Sequence, residues 1–150
     1  MFSPVPPTVP ERVVAVARAL ESRRHSMHLT FTETGGINRQ EVSGVVEPTL
    51  QEAGFVPGSH ALLSSKEIDY ISPDLLAAVS IQAGRAMSNN GALLAVLAAA
   101  SSPDTDWLVL LVPERYKTSA TYRSVVSQLK ELEVAPGIRL DLQGALLVAY

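Results

Sequence analysis

The feature that most restricts the fold of this chain is an alanine-rich segment followed by an uninterrupted apolar run. Residues Ala92 to Ala100 consist of alanine, leucine and valine, which predicts a helix buried on most of its faces. Residues Trp107 to Val112 are all apolar, which is typical of a strand covered by helices on both sides. We therefore expect this strand in the middle of a sheet, within an α/β protein.

The N-terminal part predicts an arm and then a helix. Residues 1–9 carry three prolines and are expected to form a flexible arm, which leaves 10–150 as one domain. A helix is predicted to begin near Pro10, because Thr8 and Glu11 have the spacing of a capping box. It is expected to end in the run Ser22-Arg23-Arg24.

Two further elements are predicted before the middle of the chain. Residues 27–32 alternate between apolar and polar or histidine side chains, a period of two that predicts a half-buried strand. From Asn38 the apolar residues return to helical spacing, and Gly54 is a natural stop for that helix. Pro48 lies inside it and predicts a kink, or a division into two short helices.

A hairpin is predicted next, with strands at residues 61–70 and 75–82 around the turn Ser72-Pro73-Asp74. After the apolar helix and strand, residues 122–132 predict an amphipathic helix. Residues 138–149 predict one strand, or a pair broken at Gly144. The resulting order is helix, strand, helix, hairpin, helix, strand, helix, strand, so we expect an α/β domain with a mixed sheet flanked by helices.

Composition excludes several classes of function. The chain has no cysteine, so disulfides, thiolate metal sites and cysteine nucleophiles are absent. No apolar run approaches the roughly 20 residues of a membrane span, and the proline-rich start lacks a signal-peptide pattern, so a cytoplasmic location is expected. The net charge of −3 leaves only a local basic patch for contact with nucleic acid.

Common catalytic motifs are missing from the sequence. Ser80 has no Gly-x-Ser-x-Gly surroundings, which argues against a serine hydrolase. His25, His28 and His60 lack the spacing of a zinc site on one helix. Gly35-Gly36 predicts a turn, because neither pattern of a glycine-rich phosphate loop is present.

The stretch from Ile68 to Val112 resembles the PD-(D/E)XK nuclease superfamily, which includes type II restriction endonucleases. In that family an Asp closes one strand of a hairpin, and an acid-x-Lys tripeptide lies in the next strand. Ile68-Asp69 matches the first element, and Ser80-Ile81-Gln82 falls at the tripeptide, with Gln in the Lys position as in a subset of restriction enzymes. The resemblance implies a restriction-endonuclease-like fold.

The resemblance also implies a Mg²⁺-dependent phosphodiesterase site. Asp69 would hold the metal and Gln82 would orient the attacking water, with Ser80 in the position of the second acid. Because a neutral hydroxyl is a weak ligand for Mg²⁺, the site is expected to be incomplete unless another acid compensates. Glu41 and Glu47, on the preceding helix, are the candidates for that metal-binding or catalytic acid.

The implied substrate or ligand is double-stranded DNA, bound by a homodimer as in many restriction-type nucleases. The residues expected to contact DNA follow the hairpin and the buried strand: Arg85, Asn89, Asn90, Arg115 and Lys117. For these cations, ordinary solvated surface charge is the alternative interpretation. Two functional hypotheses therefore remain, a metal-dependent nuclease and a catalytically inactive module that keeps the fold to bind DNA or a protein.

Overall fold

The computed structural model describes residues 8–58, 67–84 and 90–150. The helices are α1 (Glu11–Glu21), α2 (Arg24–His28), α3 (Arg39–Glu52), α4 (Gly91–Ala100) and α5 (Thr121–Val134). The strands are β1 (Val56–Pro57), β2 (Tyr70–Ser72), β3 (Ala77–Ile81), β4 (Trp107–Val112) and β5 (Gly144–Ala149). Among these residues, no helix is long and apolar enough to span a membrane.

The five strands form one mixed sheet in the order β1-β2-β3-β4-β5. The first three strands are antiparallel, and the hairpin of β2 and β3 pairs Tyr70 with Val79. β3, β4 and β5 are parallel and are connected through α4 and α5, with Trp107 aligned with both Ala77 and Gly144. All six residues of β4 are buried between two neighbouring strands, which confirms the predicted covered strand.

The sheet separates two hydrophobic cores. On one face, Val79, Ile81 and Val109 pack with residues of α1, α2 and α3. On the other face, Leu108 and Leu110 pack with residues of α4 and α5. Successive side chains of a strand point to opposite faces, so an unbroken apolar strand such as β4 supplies both cores. The protein is thus an α/β structure with a mixed open sheet flanked by helices, as the sequence predicts.

The prediction of a strand at residues 27–32 is wrong. The short helix α2 occupies Arg24–His28, and the chain then turns, with the Phe31 amide donating to the His28 carbonyl. Met27 is fully buried and Leu29 is 72% exposed, while Phe31 packs against the same core as Met27. Residues four apart share a face of a helix, so the spacing of Met27 and Phe31 suits a helical turn as well as a strand.

The ends of α1 and α3 are formed differently. Pro10 precedes α1 without a side-chain hydrogen bond, so the predicted capping box of Thr8 and Glu11 does not form. Asn38 caps α3, because its side chain accepts hydrogen bonds from the amides of residues 40 and 41. The helix remains continuous through Pro48, although a division into two pieces was one prediction. Pro48 and Gly44 are exposed, so water can solvate the carbonyl that the proline leaves without a donor.

The remaining predictions concern the limits of β2 and β5 and the coverage of α4. β2 begins at Tyr70, and residues 61–66 of the predicted strand lie outside the described residues, as do residues 1–7 of the predicted arm. The last element is a single strand, β5, that begins at Gly144. Helix α4 is less covered than predicted, because Leu94 and Leu97 are 39% and 42% exposed.

Candidate functional site

The hairpin brings together the residues that resemble a nuclease motif. Asp69 directly precedes β2, and its backbone amide donates to the Val79 carbonyl over 2.9 Å. Ser80 is the fourth residue of β3 and is fully buried, while Gln82 follows the strand and is 3% exposed. Asp69, Ser80 and Gln82 therefore lie at the same end of the hairpin.

The carboxylate of Asp69 is held by two groups. Arg39, the first residue of α3, donates from one guanidinium nitrogen to Oδ1 over 2.9 Å and to Oδ2 over 2.8 Å. The Ile81 amide donates to Oδ2 over 2.7 Å. Because Ile81 lies beyond the last residue that β3 pairs with β2, the side chain of Asp69 replaces the missing backbone acceptor there. Asp69 thus joins the end of β3 to the start of α3.

Burial has the largest effect on the pKa of the Asp69 carboxyl group. Desolvation raises the pKa of Asp69 above its ordinary value, against the opposing effects of the Ile81 hydrogen bond and the charge of Arg39. The nearby carboxylate of Glu67 raises the pKa of Asp69 further. The side chains of Arg39 and Asp69 are 32% and 22% exposed, so their ion pair is partly shielded from water. Asp69 is therefore an acid whose charged form depends on Arg39.

Glu67 is a member of the site that the sequence prediction missed. Its Oε2 accepts a hydrogen bond of 3.1 Å from Nε2 of Gln82, and the same nitrogen donates to Oγ of Ser80 over 2.7 Å. The available signal was the spacing Glu67-x-Asp69, since residues two apart in an extended chain point to one side. The sequence instead predicts the additional acid on α3, at Glu41 or Glu47.

Gln82 is held from several elements. The Tyr150 hydroxyl, at the end of β5, donates to the Gln82 carbonyl, and the Gln82 amide donates to Leu111 of β4 over 2.8 Å. A Cβ atom on Gly91 would lie 2.4 Å from Oε1 of Gln82, so the first residue of α4 must be small for the two to approach. The Tyr150 and Leu111 bonds hold the backbone of Gln82, and its side chain is oriented by the bonds to Glu67 and Ser80.

The two acids predicted on α3 occupy different surroundings. Glu41 lies in the first turn of the helix and is exposed. Glu47 interacts with the buried Tyr70, whose hydroxyl also lies 2.6 Å from Oγ of Ser43. Burial raises the pKa of Tyr70, and the charge of Glu47 raises it further. Glu47, unlike Glu41, lines a depression of about 370 Å³ that Asp69 and Tyr70 also line.

These residues do not fit a Mg²⁺ ion as they are arranged. Within the described ranges, no group of three or more His, Asp or Glu side chains could hold a metal. Both oxygens of Asp69 bind a guanidinium cation, and Ser80 offers a neutral hydroxyl that is already bound to Gln82. A divalent cation needs several free oxygen ligands, and it would be repelled by Arg39 at this distance. The geometry instead forms a closed polar cluster, which we define as Arg39, Glu67, Asp69, Ser80 and Gln82.

The residues predicted to contact DNA are only partly described. Arg85 and Asn89 lie outside the described residues, whereas Asn90 precedes α4 in a left-handed conformation with φ of 53°. Arg115 and Lys117 are exposed in the loop that follows β4. The ring of Tyr116 in this loop packs against Gly84, beyond the end of β3, and Lys117 Nζ lies 5.4 Å from the ring centroid.

These exposed residues share one end of the sheet. β3 and β4 are parallel, so the start of α4 and the loop after β4 both follow the carboxyl ends of adjacent strands. Ligands of open α/β sheets bind in crevices at such ends. The arrangement therefore places Asn90, Arg115 and Lys117 on the same end as the closed polar cluster. Comparisons of the chain with family models, with curated proteins and with solved structures find no match.

Proposed function

We propose that this protein is a PD-(D/E)XK-like module that binds double-stranded DNA and does not hydrolyse it through a metal site of its own. The order of elements supports the resemblance: helix α3, an antiparallel hairpin with Asp69 at one strand, helix α4, and the buried parallel strand β4. Because this order is shared by proteins of many activities, the function has to be argued from the site itself.

The observation that carries the proposal is the contact between Arg39 and both oxygens of Asp69. In a metal-dependent nuclease these oxygens would be available to Mg²⁺. Here an internal cation neutralises the acid, and Ser80 removes the negative charge that a second acid would supply. The cluster is therefore stable as a structural support for the hairpin and needs no metal.

The DNA-binding part of the proposal rests on the exposed cations beside the cluster. Arg115 and Lys117 can contact phosphates, and the amide of Asn90 can donate to them, because all three follow the same ends of β3 and β4. The chain as a whole carries a charge of −3, so binding must come from this local surface. We expect weak binding that depends strongly on salt.

Binding is tested by fluorescence anisotropy with a labelled DNA duplex at several salt concentrations. Lys117→Glu and Arg115→Glu should each weaken binding and reduce the slope of log K against log salt by about one unit. Arg139→Glu is the matched control, because Arg139 is an exposed arginine in the segment before β5 and is not part of this surface. Equal effects of all three changes, or no binding by the unchanged protein, would contradict the proposed surface.

Hydrolysis is tested separately with plasmid DNA and either Mg²⁺ or Mn²⁺. We expect no cutting by the protein, whatever the metal. Cutting that is lost in Asp69→Ala would instead support a metal-dependent nuclease, and DNA binding could still be correct in that case. The binding experiment therefore tests the proposed DNA surface, and the cutting experiment separately tests the proposed lack of hydrolysis.

A third experiment tests whether the missing acid at position 80 is the reason that the site does not fit a metal ion. Ser80→Glu restores an acid at the position that the family motif requires, close to Glu67 and Asp69. We expect calorimetric titration with Mn²⁺ to show tighter binding for Ser80→Glu than for the unchanged protein, and tighter still when combined with Arg39→Ala. Unchanged binding in both variants would mean that the hairpin lacks the geometry of a metal site.

A further inference from the structure

Strand β5 forms an open edge of the sheet. It is the last strand in the order, and within residues 8–58, 67–84 and 90–150 no strand pairs with its outer side. The amides of Gly144 and Tyr150 donate to carbonyls on the β4 side, at Asp106 and Val112. In a strand, alternate residues direct their backbone groups to the same side, so the odd-numbered residues 145, 147 and 149 direct theirs outward.

The two edges of the sheet differ in how they resist pairing. β1, at one edge, has only two residues, and one of them is Pro57, which has no amide hydrogen to donate. β5, at the other edge, has six residues without proline or charge. Proteins commonly protect sheet edges with short strands, prolines or charged side chains. The chain therefore protects β1 and leaves β5 able to pair.

The side chains beside β5 are suited to an interface. Leu146 and Leu147 are half-buried, one on each face of the sheet. A groove of about 380 Å³ lies between α1 and β5, and another of about 230 Å³ lies between α5 and β5. Both grooves have apolar walls, with charged residues such as Arg18 and Glu21 at the first. An apolar centre with a polar rim is the usual organisation of a protein interface.

We propose that β5 pairs with β5 of a second copy of this chain, antiparallel, around a two-fold axis beside Leu147. The outward residues are arranged symmetrically about Leu147, so Ala145 of one copy lies opposite Ala149 of the other and Leu147 lies opposite itself. A two-fold interface requires such a self-complementary surface. The result is one continuous sheet across two copies, and the proposal does not depend on DNA binding.

The charges on α1 favour a second copy over an unrelated strand. Arg18 and Glu21 are one helical turn apart and line the groove beside residues 146–149. A two-fold axis perpendicular to the sheet makes the two α1 helices antiparallel, so we expect Arg18 of each copy to face Glu21 of the other. The Tyr122 hydroxyl donates a long hydrogen bond of 3.5 Å to the Leu147 carbonyl. A carbonyl oxygen has two lone pairs, so it can also accept from a partner strand.

The oligomeric state of the full chain is measured by light scattering after size exclusion and by sedimentation equilibrium. We expect a mass twice that of the 16.0 kDa chain. Leu147→Lys places two like charges opposite each other at the axis and should raise the dissociation constant by about tenfold or more. A monomer at all concentrations, or a dimer that Leu147→Lys does not weaken, would overturn the proposal.

A charge exchange on α1 separates this interface from general effects on folding. Arg18→Glu and Glu21→Arg should each weaken the dimer, and the two changes together should restore it, because the pair across the axis is formed again with its charges exchanged. Lys117→Glu is the control and should leave the mass unchanged, since its loop lies beside Gly35 and Gly84. Circular dichroism checks that every variant is folded. Failure of the double variant to recover the dimer would exclude this pairing.

Discussion

The closed polar cluster and the β5 edge differ in how their hydrogen-bonding groups are satisfied. In the cluster, Asp69 binds Arg39 and the Ile81 amide, and Gln82 binds Glu67 and Ser80. At the β5 edge, alternate backbone groups point away from the sheet. A buried polar group without a hydrogen-bond partner destabilises the fold. Because the polar groups of the cluster bind one another, the cluster needs no ligand and can have a purely structural role. The comparison teaches that the closed polar cluster supports the fold, whereas β5 has outward backbone groups with which a second copy of the chain can pair.

Arg39→Ala should have the largest effect on stability. It leaves the carboxylate of Asp69 in a poorly solvated position, where removal of one partner of a fully buried pair costs roughly 3–5 kcal/mol. Because both side chains remain partly exposed, we expect a loss of about 2–3 kcal/mol. Urea unfolding of the variant measures this loss.

The control for that change is Arg12→Ala. Arg12 forms an ion pair with Asp74 over the same distance of 2.8 Å, but the two side chains are 69% and 76% exposed. Exposed pairs contribute about 0–1 kcal/mol, so this variant should be nearly as stable as the unchanged protein. Similar losses for both arginines would remove the distinction between the cluster and the ordinary surface. Neither change should alter the mass of the proposed dimer.

Two substitutions at Asp69 separate its charge from its role as an acceptor. Asp69→Asn keeps an oxygen for the Ile81 amide, whereas Asp69→Ala leaves that amide without an acceptor. An unsatisfied buried group costs about 1–3 kcal/mol, so the alanine variant should be the less stable of the two by an amount in this range. Urea unfolding at neutral pH compares them. Equal stability would mean that the Ile81 hydrogen bond contributes nothing to the closed cluster.

The pH dependence of stability follows from the raised pKa of Asp69. In the folded protein the Asp69 carboxyl keeps its proton to a higher pH than in the unfolded chain, where its pKa has the ordinary value of 3.8. Between these two values the folded state binds more protons, so this group lowers stability as pH rises through that window. Asp69→Asn should abolish this decline, and Arg39→Ala should extend it to higher pH, because Arg39 lowers the pKa. Unfolding over a pH series and NMR titration of the carboxyl measure both effects.

The sequence predicted the parts of the fold that depend on local patterns. Residues 107–112 had to be an inner strand because no face of them is polar, and Asn38 and Gly54 marked the ends of α3 correctly. The alternation at residues 27–32 failed, because Met27 and Phe31 also suit a helical turn. A period of two is ambiguous in a segment of only six residues.

The sequence could suggest only those site residues that belong to the motif itself. Asp69, Ser80 and Gln82 belong to the motif, whereas Arg39 lies outside it and approaches Asp69 from 30 positions away in the chain. Such a contact depends on how α3 packs beside the hairpin, which no local pattern shows. Glu67 was missed for a different reason, since it lies before Asp69, whereas the motif has its second acid in the next strand.

Tyr150→Phe should have the smallest effect and defines the limit of the cluster. The hydroxyl donates to the Gln82 carbonyl, and burial raises the pKa of Tyr150, so it remains protonated and able to donate throughout the ordinary pH range. Removing this bond should cost about 1 kcal/mol and should not change oligomeric mass, because Tyr150 directs its backbone groups toward β4 rather than outward. Tyr116→Phe is the control, since Tyr116 lies in the loop after β4 and is partly exposed. A change of mass in Tyr150→Phe would show that the buried end of β5 and its open edge are coupled, and the two regions would then have to be treated as one.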